Sequence, residues 1–362
     1  MPEEDNNGLP TNIGLVGSHV HTLKLARVVA ETDDARSLVF EIPVELSTRF
    51  AYEPGQFLTL RIPSERTGSV ARSYSLSSSP FADDELTVTV KRTIDGYASN
   101  WLCDNAAAGL ELEVLQPSGM FVPKNLDTDL LLIAAGSGVT PVMSILKSAL
   151  LKGSAKVTLI YANRDEGSVI FAEELRDLQA KHPDRLSIIH WIQSLQGLPS
   201  QTTLGALAAP FHERDAFICG PGPFMAAAET ALKTDLGMPH ARVHVEVFQS
   251  IDGDPFAEIV LNDLTAEEEA DAAQVEVILD GETHNFAWPR NTKLLDLLLS
   301  KGLDAPFSCR QGACSACACI VTEGDVSMLI NEVLEPEDIA DGIRLGCQSL
   351  PLTDIVKVSY DE

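Results

Sequence analysis

Cys309-Arg310-Gln311-Gly312-Ala313-Cys314-Ser315-Ala316-Cys317, with Cys347 after a gap of twenty-nine residues, is the stretch on which the reading of this chain turns. The spacing C-x4-C-x2-C plus a distant fourth cysteine is that of a [2Fe–2S] site. Three thiolates on one tight loop wrap the cluster, and the fourth arrives from another segment. Gly312 and the small residues Ala313, Ser315 and Ala316 let the backbone fold close to the sulfurs. Its N–H groups can then face the cluster's negative charge. Zinc is the competing reading. Structural zinc favours two close C-x2-C pairs, or a cysteine pair with a histidine pair. Here the first gap is four and no histidine lies near Cys347. Cys319 is expected as a buried neighbour of the cluster, and Cys103 as a core residue in a helix.

A one-electron centre needs a source of electrons, and the chain is long enough to hold one. Its 362 residues predict two or three domains, and a hydrophobic content of 45% supports real cores. Seven cysteines, four of them at cluster spacing, argue for a reducing compartment. Met1 to Gly17 is polar and acidic, unlike a signal peptide, and no apolar run reaches membrane-spanning length. The expected location is the cytoplasm. The net charge of −27 disfavours nucleic acid as a partner. It suits either plain solubility or an acidic donor face steered onto a basic partner.

Shifts in pattern divide the chain. Residues 1–18 read as a disordered N-terminus. Residues 19–123 read as an antiparallel β-barrel, with strands at Leu23–Val29, Ser37–Ile42, Phe57–Ile62 and Leu86–Lys91. Residues 124–248 read as an α/β domain with a parallel sheet, from apolar runs at Asp129–Ala134, Lys156–Ala162, Leu186–Ile192 and Ala216–Cys219. Residues 249–273 read as a flexible linker, since 249–271 hold eight acids and no Lys or Arg. Residues 274–362 carry the cysteines.

The α/β segment holds a nucleotide signal. Leu130–Ala135 runs into Gly136-Ser137-Gly138-Val139-Thr140-Pro141, and a helix is expected from about Val142. Such a turn brings a pyrophosphate to backbone N–H groups at a helix N-terminus. Alone, G-x-G-x-x-P is a weak signal. It gains weight from a second turn, Cys219-Gly220-Pro221-Gly222-Pro223-Phe224-Met225, after another strand. Two turns at the ends of neighbouring parallel strands would share one crevice. The barrel segment holds Arg72-Ser73-Tyr74-Ser75, groups suited to a flavin: Arg for phosphate, Tyr against the ring, a Ser hydroxyl near the redox nitrogen. Val90-Lys91-Arg92 leads to Gly96-Tyr97-Ala98-Ser99, which reads as a strand, a turn and a helix capped near Ser99.

In this order the motifs resemble the ferredoxin–NADP reductase superfamily, with a plant-type ferredoxin fused at the C-terminus. The arrangement over residues 19–362 is similar to the reductase components of bacterial oxygenases. The stretches Ser64–Arg72, Gly96–Asp104, Pro221–Met225 and Val358–Glu362 place it closest to one branch of them. The resemblance implies a β-barrel flavin domain, a parallel-sheet nicotinamide domain and an α+β, β-grasp ferredoxin domain. It implies that Arg72, Ser73, Tyr74, Ser75, Val90, Arg92, Gly96, Ala98 and Ser99 border FAD. Gly136, Gly138, Thr140, Pro141, Asn163, Arg164, Cys219, Gly220 and Pro221 would border the nicotinamide cofactor. Ser75, Cys219, Glu246 and Phe248 would stand beside the reacting rings, with Phe248 covering the flavin. Cys309, Cys314, Cys317 and Cys347 would hold the cluster.

Arg164 could meet a 2′-phosphate and favour NADPH, whereas the resemblance implies NADH, which is the expectation taken here. A hydride brings two electrons and the cluster accepts one, so a flavin must lie between them. The resemblance therefore implies a monomeric reductase delivering electrons to a terminal, Rieske-type oxygenase component that docks near the cluster loop. The competing class is a redox sensor or zinc-stabilised binding protein without turnover.

Overall fold

The computed structural model describes residues 19–83, 85–257, 265 and 270–361. The expectations for residues 1–18, for Glu267–Glu269 and for Glu362 lie outside the described residues.

The first sheet contains β1 (Val20–Thr32), β2 (Ala35–Glu41), β3 (Phe57–Ser64), β4 (Gly68–Ser75), β5 (Leu86–Lys91) and β6 (Glu111–Leu115). Its six strands are antiparallel in the order β4-β3-β6-β1-β2-β5. A bridge between Leu76 and Val88 joins the two end strands and closes the barrel. Period-two alternation sends Leu23, Leu25, Leu58, Leu60, Ile62, Val88 and Val90 inward. Helix α1 (Tyr97–Asn105) packs Ala98 and Leu102 onto that core. Four of these strands coincide with the expected runs; β4, whose Gly-Ser-Val-Ala-Arg-Ser-Tyr-Ser carries no apolar run, and β6, whose alternation lasts five residues, are additional.

The second sheet contains β7 (Leu130–Ala135), β8 (Val157–Asn163), β9 (Leu186–Ile192), β10 (Asp215–Cys219) and β11 (Val243–Glu246). All five are parallel, in the order β11-β10-β7-β8-β9. Strand β7 is buried along its whole length, as expected between two helical layers. Helix α2 (Val139–Lys152) follows it, and α3 to α6 (Ala172–Lys181, Gln193–Gln196, Gln201–Ala208, Gly222–Thr230) supply the other crossovers. The chain winds outward from β7 through β9, then returns to the other side of β7. That reversal opens a crevice at the C-terminal ends of β7 and β10.

The third sheet contains β12 (Ala273–Leu279), β13 (Glu282–Trp288), β14 (Ala318–Glu323), β16 (Ile343–Leu345) and β18 (Ile355–Ser359), in the order β13-β12-β18-β14-β16. Strands β15 (Val326–Met328) and β17 (Ser349–Pro351) pair separately. Strands β12 and β18 are parallel and the other pairs antiparallel, a β-grasp arrangement. Helix α7 (Leu294–Ser300) buries five leucines against this sheet, and a short α8 (Pro336–Ala340) lies beside β16.

The described part of the linker is not a free coil. Ile251 and Phe256 are buried in the same core as the cluster domain, together with Ala71 and Leu115 of the barrel. Arg61 Nη2 reaches Asp254 at 3.1 Å and its guanidinium lies over the Phe256 ring. Two apolar anchors outweigh the acidic composition on which the expectation of flexibility rested. Asp304 fixes the same interface: it accepts from His19 Nδ1 at 2.9 Å and from Gln116 at 3.3 Å, and pairs with Arg49. Burial pushes its carboxyl up, but His19 and Arg49 outweigh that and hold it below the usual range. On the nicotinamide side, Lys233 and His240 each meet Glu335 at 3.1 Å.

Asp304→Ala should loosen the cluster domain from the barrel. The small-angle scattering radius of gyration should rise while the circular dichroism spectrum is kept. An unchanged scattering curve would mean that the apolar anchors hold the domains alone.

Candidate cofactor sites

The crevice is built by two glycine turns that interlock. Gly136 has φ +54°, a left-handed conformation that turns the chain from β7 toward α2. Gly138 lies against the other turn: a Cβ added there would sit 2.1 Å from the Cys219 carbonyl oxygen. The buried Tyr161, from β8, donates to the Gly136 carbonyl at 3.1 Å and clamps the first turn. Helix α2 begins at Val139, three residues earlier than expected, because Pro141 is compatible with a first helical turn. The turn Gly136–Gly138 leads straight into it: the Val139 amide bonds back to the Gly136 and Ser137 carbonyls and Pro141 has no N–H, so an anion at this end would meet the glycine turn rather than the helix's own first amides. Thr140 bonds back to the Ser137 carbonyl at 3.0 Å.

Cys219 and Glu246 are direct partners in the parallel register of β10 and β11. Burial, and then the Glu246 carboxyl, push the Cys219 thiol well up. Burial alone pushes the Glu246 carboxyl up to about 8. Phe248 follows the end of β11 and is 47% exposed, free of the core. Gly220 packs on Ala135, and Pro221 caps α6. Asn163, at the end of β8, is buried, and neither amide atom has a hydrogen bond of good geometry, although the Tyr161 phenol lies beside it. A buried amide left unpaired at the crevice is a place for a polar ligand.

On the barrel, Arg72 and Tyr74 lie opposite Leu60 and Leu58, while Ser73 and Ser75 lie opposite Thr59 and Phe57. Tyr74 leans on the barrel core, and burial raises its phenol well above the ordinary range. Arg72 Nη1 donates to the carbonyls of Ala71 and Ile251, at 2.6 and 2.9 Å. Among the described residues it has no carboxylate partner, which leaves its charge for a phosphate. Val90 is buried in the barrel, so its side chain cannot meet a cofactor. Arg92 is spent on Asp104 and Asn100 of α1. The cap of α1 is Gly96; Ser99 stands three residues inside, accepting from the Thr93 amide at 3.0 Å. The first turn of α1 has no side-chain cap, which leaves its amides open to an anion.

The four cysteines come together in two pairs, Cys309 with Cys314 and Cys317 with Cys347. Among the described residues no three cysteine sulfurs lie within 4.8 Å of one another. Four thiolates on one tetrahedral zinc would sit about 3.8 Å apart, so the pairing suits two irons. Arg310 (φ +58°) and Gly312 (φ +80°) turn the loop so that the amides of Gln311 and Ala313 face Cys309 Sγ at 3.3 and 3.4 Å. Cys314, then those amides, pull the Cys309 thiol down to about 6. The Cys347 amide faces Cys317 Sγ at 3.4 Å, and Gln348 Nε2 lies 3.5 Å from Cys347 Sγ. Cys319 is buried and bonds to the Arg344 carbonyl, outside this set.

Several site residues escaped the sequence reading. Lys91, rather than Arg92, points at the crevice, with Nζ 3.9 Å from where a Gly136 Cβ would be. Strand alternation could have shown it, since Val90 goes inward and Lys91 must go out. Asp34 lies 3.8 Å from both Lys91 and Arg164, and Asp165 accepts from Arg164 Nε at 2.9 Å. Thr59 and Ser308 bond across the barrel–cluster interface at 2.7 Å. No local signal marks a contact between residues so distant in the chain.

Three family models match the chain: an oxidoreductase FAD-binding domain over residues 22–122, an oxidoreductase NAD-binding domain over 132–230 and a 2Fe-2S iron-sulfur cluster binding domain over 277–352. The 3-ketosteroid-9-alpha-monooxygenase ferredoxin reductase component of Mycolicibacterium smegmatis is 62% identical over 350 residues, 96% of this chain and 99% of the relative. The protein of the same description from Mycobacterium tuberculosis is 59% identical, over 96% of this chain and 98% of the relative. One of the subunits of the 1,2-phenylacetyl-CoA epoxidase of Escherichia coli is 35% identical, over 94% of this chain and 98% of the relative. Among solved structures, phthalate dioxygenase reductase shares the fold, with a TM-score of 0.53 at 22% identity over 94% of this chain and 98% of that one.

Two outcomes test the crevice. Gly138→Ala forces a carbon onto backbone and should destabilise by about 3 kcal/mol. Gly136→Ala meets only the left-handed penalty, about 1 kcal/mol. Equal losses in urea would mean that the turns do not interlock. The Glu246 carboxyl binds its proton more tightly folded (about 8) than at its ordinary 4.5. Its contribution to stability is therefore full below about pH 4.5 and lost as pH rises through about 8. Glu246→Gln should flatten the fall in melting temperature between these values.

Proposed function

The chain belongs to the family of 3-ketosteroid-9-alpha-monooxygenase ferredoxin reductase components, and on that premise we propose that it carries electrons from NADH through FAD and a [2Fe–2S] cluster to a terminal oxygenase acting on a 3-ketosteroid. It is an oxidoreductase with FAD-binding, NAD-binding and [2Fe–2S] domains. The observation that carries the reading is the order in space. The crevice of Gly138 and Cys219 adjoins the barrel at Lys91, and the residue before Cys309 touches the strand of Arg72-Ser73-Tyr74-Ser75.

When bound, the flavin accepts two electrons together from the nicotinamide and gives them up singly to the cluster. The chain's residues provide position and charge. Arg72 and the α1 amides meet the phosphates of FAD. The glycine turn Gly136–Gly138 at the head of α2 would meet the nicotinamide pyrophosphate, and Asn163 would supply its unpaired amide. Cys219 and Glu246, both neutral at pH 7, line a dry crevice end where a hydride can pass without water. Ser75 lies on the flavin strand, and Phe248 is free to cover a ring.

NADH rather than NADPH is supported by what Arg164 already holds. Asp165 and Asp34 offset its charge and would repel a 2′-phosphate. Docking of the oxygenase is proposed at the cluster loop beside Leu329 and Ile330, which are 57% and 48% exposed next to Gly312.

Anaerobic titration with NADH should bleach the flavin and produce the signal of a reduced [2Fe–2S] centre. Bleaching without that signal would remove the proposed route out. Turnover with a 3-ketosteroid oxygenase component, and none with a phenylacetyl-CoA epoxidase, would fix the partner; the reverse would overturn the steroid reading. Asp34→Asn with Asp165→Asn should raise the NADPH-to-NADH ratio of kcat/KM by roughly fivefold, the size of an exposed ion pair. An unchanged ratio would place the discrimination elsewhere.

A further inference from the structure

Ser308 directly precedes the first cluster cysteine and is 1% exposed. Its hydroxyl shares a hydrogen bond of 2.7 Å with Thr59 and lies 3.3 Å from the hydroxyl of Ser73. Thr59 and Ser73 are register partners in β3 and β4, 3.1 Å apart through their hydroxyls. Three hydroxyls therefore close a triangle across the interface. Each has one proton and free lone pairs, so each can donate once and accept once, and the set satisfies itself without water. Ser73 stands between Arg72 and Tyr74, so the triangle joins the flavin strand to the cluster loop by the shortest side chains available.

We propose that Ser308, through Thr59 and Ser73, is a positioning residue that fixes the cluster loop against the flavin strand and thereby sets the rate at which electrons reach the cluster. The proposal rests on the electron-transfer reading above. The ion pairs at this boundary, Arg49 with Asp304 and Arg61 with Asp254, are made by long side chains that tolerate movement, and the apolar core of Ala71, Leu115, Ile251 and Phe256 is non-directional. Short hydroxyls mounted directly on two backbones do not. With both groups bound, the reduced flavin would lose one electron at a time and one ferric iron would gain it, with no bond formed or broken. The rate of such a step falls steeply with separation, so a small loss of register is read directly in the rate.

The test uses the holoenzyme and three variants. Ser308→Ala and Thr59→Val remove a hydroxyl, while Thr59→Ser keeps one. NADH-driven ferricyanide reduction, which reads the flavin, should be unchanged in all three. Cluster bleaching after rapid mixing with NADH should slow at least fivefold in Ser308→Ala and Thr59→Val and stay near wild type in Thr59→Ser. Cluster and flavin potentials should not move, and amide exchange at Gln311–Ala313 should quicken only in the two hydroxyl-lacking variants. Unaltered bleaching and exchange would overturn the proposal. Slowing that tracks a shifted cluster potential would also overturn it, since Ser308 would then tune the cluster rather than place it. A wild-type protein whose flavin NADH fails to bleach would sink the reading of function instead, and the exchange experiment would still decide whether the triangle holds the loop.

Discussion

Gly138 packs so closely on the backbone of Cys219 and Gly220 that no side chain fits between them. That one approach joins the two turns at the ends of β7 and β10 into a single wall. The turns come from segments about eighty residues apart, and only the reversal of strand order brings them side by side. From this wall the rest of the crevice follows. Tyr161 clamps Gly136 from the neighbouring strand, α2 starts at once behind the Gly136–Gly138 turn, and β11 sets Glu246 beside Cys219. A bulkier residue at 138 would separate the turns and, with them, the groups that face the nucleotide.

The barrel is the hub between the two other domains. Its strand β5 ends in Lys91 against the nicotinamide crevice, and its strands β3 and β4 carry Thr59 and Ser73 against the cluster loop. Strand alternation makes this possible. On β4, Ser73 turns to the cluster loop while its neighbours Arg72 and Tyr74 take the other side of the strand.

Much of this was legible in the residues alone. Apolar runs such as Leu130–Ala135 and Val157–Ala162 announce themselves as strands because burial selects their residues directly. Cysteine spacing is equally local, since three ligands must share one loop. Strand β4 was legible as a motif but not as a strand, because its polar residues are chosen for chemistry and contacts rather than for burial. The linker misled for the opposite reason. Its acids dominate the composition, yet Ile251 and Phe256 decide where it lies. Arg92 was read from its place in a motif, whereas Asp104, one helix away, takes its guanidinium. The Thr59–Ser308 contact joins residues about 250 positions apart, and no window of sequence contains it.

The two faces that hold the cluster domain differ in kind. Toward the nicotinamide domain it meets Lys233 and His240 with Glu335, half-exposed charges that water and salt weaken. Toward the barrel it also forms ion pairs, of Asp304 with His19 and Arg49, but adds an apolar core with Ala71, Leu115, Ile251 and Phe256 and the hydroxyls of Thr59, Ser73 and Ser308 closed on each other. Apolar burial and neutral hydrogen bonds are indifferent to ionic strength. The face between barrel and cluster loop therefore keeps contacts that salt does not weaken beside the ion pairs that it does. The face toward the nicotinamide domain rests on the ion pairs of Glu335, which rising ionic strength weakens first.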